Sequence, residues 1–252
     1  MTAVEGTAPS RGELAWLKGG AASLWLTTAL GVLHPHYRAV GHEWLSRLGL
    51  PGWLMWLTCA GELVLGVLIL VLPPRWWLMA VQVGGVSVFT IILAALEPML
   101  LVHPFGVLSK NYPFLALAVA TWLLGREGFS ARALWTLRGG MALVWITEGI
   151  FPKLLFQQPL ELAVVEGSGL VPMSASRFLM LLGVAQAVSG VLALVLKGAP
   201  LRWLLLAQLA ALVVLPTLVS WQDPLLWFHP FGPLTKNLPV IAGTVAVFRR
   251  CR

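Results

Sequence analysis

The sequence contains very few charged residues for its length. Of its 252 residues, 11% are charged and 58% are hydrophobic, and the mean hydropathy is +0.85. Soluble proteins carry about 25% charged residues, so this composition excludes an ordinary soluble domain. The apolar stretches approach the roughly 20 residues that a membrane-spanning helix requires, and they lack the alternation of apolar and polar residues that is typical of barrel strands. We therefore predict an all-α integral membrane protein.

Cysteine is also scarce. The two cysteines, Cys59 and Cys251, lie far apart and form no motif, which argues against disulfide exchange and against a cysteine-ligated metal cluster. The net charge is +7, but the basic residues fall in short segments between apolar runs, where they determine membrane topology. We therefore expect no nucleic-acid partner, and membrane lipid is the first partner that the composition indicates.

The densest polar chemistry occurs in a motif that the chain contains twice. The first copy, from Glu97 to Pro113, reads EPMLLVHPFGVLSKNYP, and the second, from Asp223 to Pro239, reads DPLLWFHPFGPLTKNLP. All matched positions share an offset of 126 residues, which is half of the chain length. The sequence therefore predicts a tandem duplication.

We predict eight membrane-spanning helices, four in each repeat. Because four is an even number, both repeats enter the membrane in the same direction, and the result is two parallel four-helix bundles. The predicted helices cover residues 16–33, 52–72, 75–96, 111–125, 135–152, 174–196, 200–221 and 237–249. The corresponding divisions are a tail (1–15), a first repeat (16–126), a linker (127–134) and a second repeat with a short C-terminal tail (135–252).

The basic residues are distributed unequally between the two predicted sides. The larger group should be cytoplasmic, which places both termini inside and the motif loops outside or in the periplasm of a cell with an inner membrane. One side carries Arg11, Lys18, Arg75, Arg126, Arg132, Arg138, Lys197, Arg202, Arg249, Arg250 and Arg252, and the other carries Arg38, Arg47, Lys110, Lys153, Arg177 and Lys236.

The predicted helix that follows each motif is short. About 15 residues span about 22 Å, whereas the hydrocarbon core is about 30 Å thick. We predict that each motif loop dips into the membrane and closes an outward-facing pocket in its own repeat. The alternative is a surface loop in a locally thinned bilayer.

Each motif supplies three candidate ligand-binding residues. A lysine at a helix N-terminus opposes the helix dipole, so an anionic partner is expected: the acid of the same loop, a lipid phosphate or a ligand head group. The histidine suits proton transfer or a hydrogen bond to a quinone carbonyl, or it pins the loop through a backbone hydrogen bond. One histidine and one acid per repeat are too few for a metal site, so neither metal nor haem is favoured. The candidates are Glu97, His103 and Lys110 in the first copy, and Asp223, His229 and Lys236 in the second.

Further charged residues fall within predicted helices. Glu148 and Lys153 occur only in the second repeat, where Thr28 of the first repeat matches Glu148. Glu62 is predicted to hydrogen-bond to Gln82, either as helix–helix glue or as a proton relay, with Gln186 and Gln208 as the matching pair. The second repeat is the better candidate site, and a structural ion-pair network is the alternative. Its ligand-binding candidates are Glu148, Lys153, Asp223, His229 and Lys236, and its catalytic candidates are His229, Asp223, Lys236 and Glu148.

The second half of the chain resembles the DoxX-like family of small four-helix membrane proteins. The residues that carry the resemblance are WITEGIFPKLLF, from Trp145 to Phe156, and HPFGPLTKNLP, from His229 to Pro239. The resemblance extends over about 135–249 and is weaker over 16–125. It implies a four-helix bundle for each repeat. The founding member of the family is named as a subunit of a thiosulfate:quinone oxidoreductase, and other relatives resemble accessory or assembly proteins. The resemblance assigns no catalytic residues.

Three functional classes follow from these observations. The leading expectation is a binding or accessory subunit of a membrane redox system, which contacts quinone or lipid and belongs to a larger membrane complex. The second is a quinone-linked oxidoreductase that transfers protons at its outer face. The third is a small-molecule transporter, which the parallel repeat disfavours. Quinone is the one cofactor candidate that the sequence indicates.

Overall fold

The computed structural model describes residues 8–251, which fold almost entirely into helices and contain no strand. Residues 1–7 of the predicted tail and Arg252 lie outside the described residues. A π-helical segment, Ile150–Leu155, continues the sixth helix, and 3₁₀ turns Pro98–Val102 and Pro224–Phe228 precede the fifth and tenth. The helices of this range are α1 (Arg11–Gly31), α2 (Pro35–Arg47), α3 (Trp53–Val71), α4 (Trp76–Leu96), α5 (Asn111–Glu127), α6 (Ala131–Gly149), α7 (Pro159–Ser168), α8 (Ala175–Val195), α9 (Gly198–Gln222) and α10 (Asn237–Arg250).

Each of the eight predicted helices overlaps one of these elements, and α2 and α7 are additional short helices. Four helices, α3, α4, α8 and α9, are long and apolar enough to cross a membrane. A fifth span is possible if α6 and α7, which meet at a bend of 90°, count as one broken span. The predicted number of eight spans is therefore not confirmed by length and composition. Among the other predicted spans, α5 and α10 are short, and α1 carries charged residues.

The two repeats share one core. Helices α5 and α10 contact each other at the centre, and each of them also contacts α1 and α6. Around these four, α3 packs on α1, α4 on α5, α8 on α6 and α9 on α10. The largest buried apolar cluster contains residues of both repeats, including Phe114 of α5, Leu137 of α6 and Ala246 of α10. Near the chain ends, Glu13 of α1 lies 2.5 Å from Arg250 of α10. The two predicted four-helix units are therefore joined in one core, because the short helix of each repeat packs against the first helix of the other.

The outer helices expose large apolar side chains. Trp53 of α3, Ile91 of α4, Leu181 of α8 and Trp203 of α9 are each 60% or more exposed. A soluble protein rarely presents such a continuous apolar surface to water. The outer ring therefore faces lipid hydrocarbon, which also explains why its helices are apolar around their whole circumference.

Glycines bring α6 and α8 into close contact. A Cβ atom at Gly149 would lie 2.5 Å from the carbonyl oxygen of Gly183, and one at Gly183 would lie 2.7 Å from the carbonyl oxygen of Gly149. Small residues of this kind allow membrane helices to pack backbone against backbone. The contact fixes Glu148 and Lys153 beside the middle of α8, where Gln186 lies.

Candidate functional site

The two motif loops exchange hydrogen bonds across the repeat boundary. Lys110 Nζ donates to the carbonyl oxygen of Pro233 at 2.7 Å, and Lys236 Nζ donates to that of Val107 at 2.6 Å. The two donor lysines are 126 residues apart, and so are the two acceptor residues, which is the offset of the sequence motif. The loops are therefore related by a pseudo-twofold axis, and each lysine fastens the opposite loop.

The predicted partners of these lysines are elsewhere. Glu97 lies 3.8 Å from Arg47, and Asp223 accepts a hydrogen bond from the backbone N–H of Leu225 at 3.1 Å. These contacts exclude one of the three anionic partners considered for each lysine, the acid of its own loop. The acid precedes the 3₁₀ turn, whereas the lysine points from the far end of the loop into the protein. The two side chains of one loop therefore do not meet.

The phenylalanines of the motifs follow the same exchange. Phe105 of the first repeat packs with Leu226, Leu234 and Val164, all of the second repeat. Phe231 of the second repeat packs edge-on against Trp44 of α2, with ring centroids 5.0 Å apart. Each loop therefore inserts its aromatic residue into the other repeat.

Two large cavities lie beneath these loops. Pocket A, of about 350 Å³, lies between α6, α7, α8 and α9, and Pro104, Phe105 and Lys110 of the first motif line it. Pocket B, of about 520 Å³, lies between α1, α2, α3 and α4, and Pro230, Phe231 and Lys236 line it. We predicted that each pocket would be closed by the loop of its own repeat. The structure corrects this prediction, because the lysine and phenylalanine of each loop reach the pocket of the opposite repeat.

Pocket A contains a buried network of four charged side chains. Ser109 donates a hydrogen bond to Glu148 Oε1, and Lys153 Nζ lies 3.0 Å from Glu161 Oε1. Lys110 completes the set, and all four charged residues are at least nine-tenths buried. Buried charges persist only when they are paired and hydrogen-bonded. Two cations and two carboxylates therefore balance one another.

The local sequence explains how this network forms. Pro152 has no N–H group, so it cannot bond to the carbonyl oxygen of Glu148 in the preceding turn. The helix widens there into the π segment, and Lys153 Nζ lies 3.5 Å from that carbonyl. The bend then returns Glu161 of α7 to Lys153. Sequence analysis did not select Glu161 as a site residue, because helical periodicity carries no information across a 90° bend.

Pocket B has a simpler polar lining. Glu62 and Lys236 share the cavity with Thr28, whose hydroxyl donates to the backbone carbonyl oxygen of Leu24 at 2.8 Å. Tyr37 Oη lies 3.6 Å from Cys59 Sγ on the same wall. Lys236 therefore belongs with Glu62, and the predicted set of second-repeat residues is divided: Glu148 and Lys153 line pocket A, whereas Lys236 lines pocket B and Asp223 and His229 line neither.

The glutamine partners also differ from prediction. Gln82 donates to the carbonyl oxygen of Leu78, and Gln208 donates to Ser189. The predicted hydrogen bond between Glu62 and Gln82 is absent from the described residues. The two residues share a depth, but α3 and α4 pack on different inner helices.

The pockets use equivalent positions with exchanged chemistry. Glu148 in pocket A matches Thr28 in pocket B, and Gln186 in pocket A matches Glu62 in pocket B. Each pocket thus contains one lysine from the opposite repeat and one glutamate near it. The glutamate stands on the first helix of the repeat in pocket A and on the next long helix in pocket B.

Equivalent polar atoms in both pockets have no hydrogen-bond partner within residues 8–251. They are the indole Nε1 atoms of Trp25 and Trp145, and the matched oxygens Glu62 Oε2 and Gln186 Oε1. More than 90% of buried polar groups in proteins are paired. An unpaired donor and an unpaired acceptor at the same place in two pockets indicate a site that presents hydrogen bonds to a ligand or to water.

Pocket A contains one further free amide. Asn111 in the first repeat donates to Thr90 Oγ1 at 2.7 Å, whereas Pro216 stands at the position that matches Thr90. The matching asparagine, Asn237, lines pocket A, is 5% exposed, and its Oδ1 has no partner in the described part of the chain. Each asparagine is the first residue of its helix, and the lysine before it occupies the N-cap position.

The motif histidines hold the loops. His103 Nδ1 accepts the N–H of Phe105, and His229 Nδ1 accepts the N–H of Phe231, both at 3.3 Å. Burial and the neighbouring histidines and lysines lower the pKa of both histidines to about 4. A neutral ring with a free Nδ1 lone pair suits a loop-pinning role. Among residues 8–251, no group of three histidine, cysteine, aspartate or glutamate side chains is arranged to bind a metal.

These histidines make stability depend on pH. Because the pKa falls from about 6.5 in the unfolded chain to about 4 in the fold, their contribution is complete above pH ~6.5 and is lost as the pH falls toward ~4. Asparagine accepts the same N–H two residues ahead without titrating. We expect the H103N/H229N variant to lose less thermal stability than the wild type between about pH 7.5 and 5. Parallel melting-temperature profiles for the two proteins would contradict this role.

The fold and the pockets define a polytopic helical membrane protein in which two pseudo-symmetric units each complete the other's cavity. The model of the DoxX-like family matches residues 14–119 and 142–245, and the chain belongs to this family. The double match shows that the chain is a tandem duplication of the DoxX-like unit. No curated protein and no solved structure matches it.

Proposed function

We propose that the protein binds a neutral amphiphile of the quinone class, with one head group in each pocket, and serves as a binding subunit of a membrane redox system. The observation that carries this proposal is the matched pair of unpaired buried groups, an indole N–H and a side-chain oxygen, in two cavities whose linings are mostly apolar. A ring with oxygen substituents and an apolar tail satisfies both features.

Charge balance supports a neutral ligand. In pocket A, Lys110 and Lys153 are offset by Glu148 and Glu161, and in pocket B Lys236 is offset by Glu62. An anionic lipid head group would add uncompensated charge to a cavity that is already balanced. The cavity volumes also fall in the range of roughly 300–1,000 Å³ that small-molecule sites occupy.

The location of the pockets supports access from the membrane. Their walls include α4 and α9, whose outer faces are exposed and apolar. The distribution of basic residues further favours an orientation in which the motif loops face outside or the periplasm. In this arrangement a quinone head group reaches the polar groups while its tail remains in hydrocarbon.

Tryptophan fluorescence tests the proposal, because Trp25 and Trp145 lie in the pockets. Decylubiquinone is titrated into the protein in nanodiscs. We expect saturable quenching, and we expect the W25F/W145F variant to bind about tenfold more weakly, since one hydrogen-bond donor is lost per site. The W221F variant is the matched control, since Trp221 is 86% exposed and lines neither pocket. Quenching that rises linearly with quinone, and is equal in all three proteins, would contradict binding.

A quinone-linked oxidoreductase is the second candidate. The chain of hydrogen bonds and charges from Ser109 through Glu148 to Lys153 and Glu161 favours it, because such a network can move a proton. Turnover of decylubiquinol by the isolated protein, lost in E148Q, would support this candidate. A stoichiometric membrane partner that copurifies in mild detergent, without turnover by the isolated protein, would support the binding subunit.

A further inference from the structure

The two pockets differ at one matched position in a way that separates hydrogen-bond donors from acceptors. Pocket B presents the Glu62 carboxylate, and pocket A presents the Gln186 amide at the equivalent place. In each case one side-chain oxygen is buried without a partner among the described residues, and the same pocket is lined by a tryptophan whose indole N–H is equally unpaired. The indole N–H can donate a hydrogen bond in both pockets. The pockets therefore differ in the second group, which is Glu62 in pocket B and Gln186 in pocket A.

In pocket B the second group accepts. Lys236 lines the same cavity as Glu62, and its ammonium favours the ionised carboxylate against the cost of burial. An ionised carboxylate accepts hydrogen bonds and donates none. A hydroxyl fits this site completely, since it donates to Glu62 Oε2 and accepts from Trp25 Nε1. A carbonyl satisfies the indole but leaves the carboxylate oxygen unpaired and opposes two lone pairs.

In pocket A the second group also donates. A glutamine side chain carries two N–H groups as well as its oxygen, and rotation of the amide presents either. Asn237 also lines pocket A with an Oδ1 atom that has no partner among the described residues, and rotation of its amide presents an N–H group in the same way. The carboxylate of this pocket, Glu148, already accepts from Ser109. A carbonyl head group can therefore accept from Trp145 and from both amides.

We propose that the pockets select different redox forms of the same head group: pocket B binds the hydroxyl-bearing quinol, and pocket A binds the carbonyl-bearing quinone. This inference rests on the proposed function, since it names which form of the ligand each cavity takes. Glu62 and Gln186 are the specificity-determining residues. The duplication thereby keeps two sites of common shape in one chain and separates them by the exchange of a carboxylate for an amide.

Photolabelling resolves the two pockets in one protein. The probe is a decylquinone with a diazirine on its tail, used in oxidised and in reduced form at about pH 8, a high pH chosen to favour ionised Glu62 despite its burial. Labelled peptides from α2–α4 report pocket B, and those from α7–α9 report pocket A. We expect the ratio of pocket B to pocket A labelling to rise about tenfold when the probe is reduced, as one hydrogen bond to a charged group would produce.

The repeat itself supplies matched variants. E62Q gives pocket B the amide of pocket A, so the preference of pocket B for the reduced probe should disappear. Q186E places the carboxylate in pocket A, which should then gain that preference. Equal labelling by both probe forms in the wild type, or an unchanged ratio in E62Q, overturns the inference. If neither form of the probe labels either pocket saturably, the proposed function is overturned instead.

Discussion

The K153M variant is expected to lose about 3–5 kcal/mol of unfolding free energy, the usual cost when one partner of a buried ion pair is removed. Lys153 is 3% exposed and lies 3.0 Å from Glu161 Oε1. Its ammonium also lies near Glu148, and methionine fills a similar volume without charge. Two carboxylates would then share a buried site with Lys110 as their remaining cation. Denaturation in mixed micelles, followed by circular dichroism, measures the loss.

Two controls separate charge from packing. K197M removes an exposed lysine and should change stability by less than about 0.5 kcal/mol. K153M/E161L replaces the pair with apolar side chains, and most of the lost stability should return, because a buried ion pair is often no better than a well-packed apolar pair. If the double variant is as unstable as K153M, the packing of the lysine chain, and not its charge, holds α7 against α6.

The duplicated motif made several features of this protein predictable from sequence. The common offset identified the repeats, and the lysine at a helix N-terminus marked an unusual environment, since its charge opposes the dipole. Both lysines are indeed buried at that position. The functional side chains of the loops could therefore be predicted from the sequence, because the motif contains them in a fixed order.

The partners of those side chains were not predictable in the same way. The lysines donate to the carbonyl oxygens of Pro233 and Val107, and a backbone carbonyl has no sequence signature. The two loops also carry the same histidine, phenylalanine and lysine at matched positions, so the sequence does not distinguish insertion into the same repeat from insertion into the other. Glu62 and Gln82 illustrate a related limit, since equal depth in neighbouring helices does not place two side chains in contact.

Helix number illustrates how composition and packing differ. Apolar runs predict spans, but α1, α5 and α10 are inner helices that contact one another and the opposite repeat. Helices shielded from lipid need neither full length nor a wholly apolar surface, because protein satisfies their polar groups. Their sequences therefore report burial in protein rather than a count of membrane crossings.

The exchanged lysines lead to the second prediction. K110M should lower the unfolding free energy by at least about 1–3 kcal/mol, because the buried carbonyl of Pro233 would lose its donor and the network of pocket A would lose one of its two cations. K236M should have a similar effect through the carbonyl of Val107. Both bonds join the same two loops, so the loss of one should loosen the other. We therefore expect the K110M/K236M variant to lose at least 0.5 kcal/mol less than the sum of the single losses, beyond the range expected for independent sites.

The same exchange gives K110M a functional signature that a purely local defect would not have. Lys110 lines pocket A, but the loop that it fastens carries Phe231 and Lys236 into pocket B. Photolabelling of pocket B should therefore fall in K110M even though no side chain of that pocket has changed, and K236M should reduce labelling of pocket A in return. Losses confined to the pocket that each lysine lines, together with additive stabilities, would show that the loops act independently. The reciprocal result would show why the duplication was retained as one chain: each unit holds the loop that completes the other.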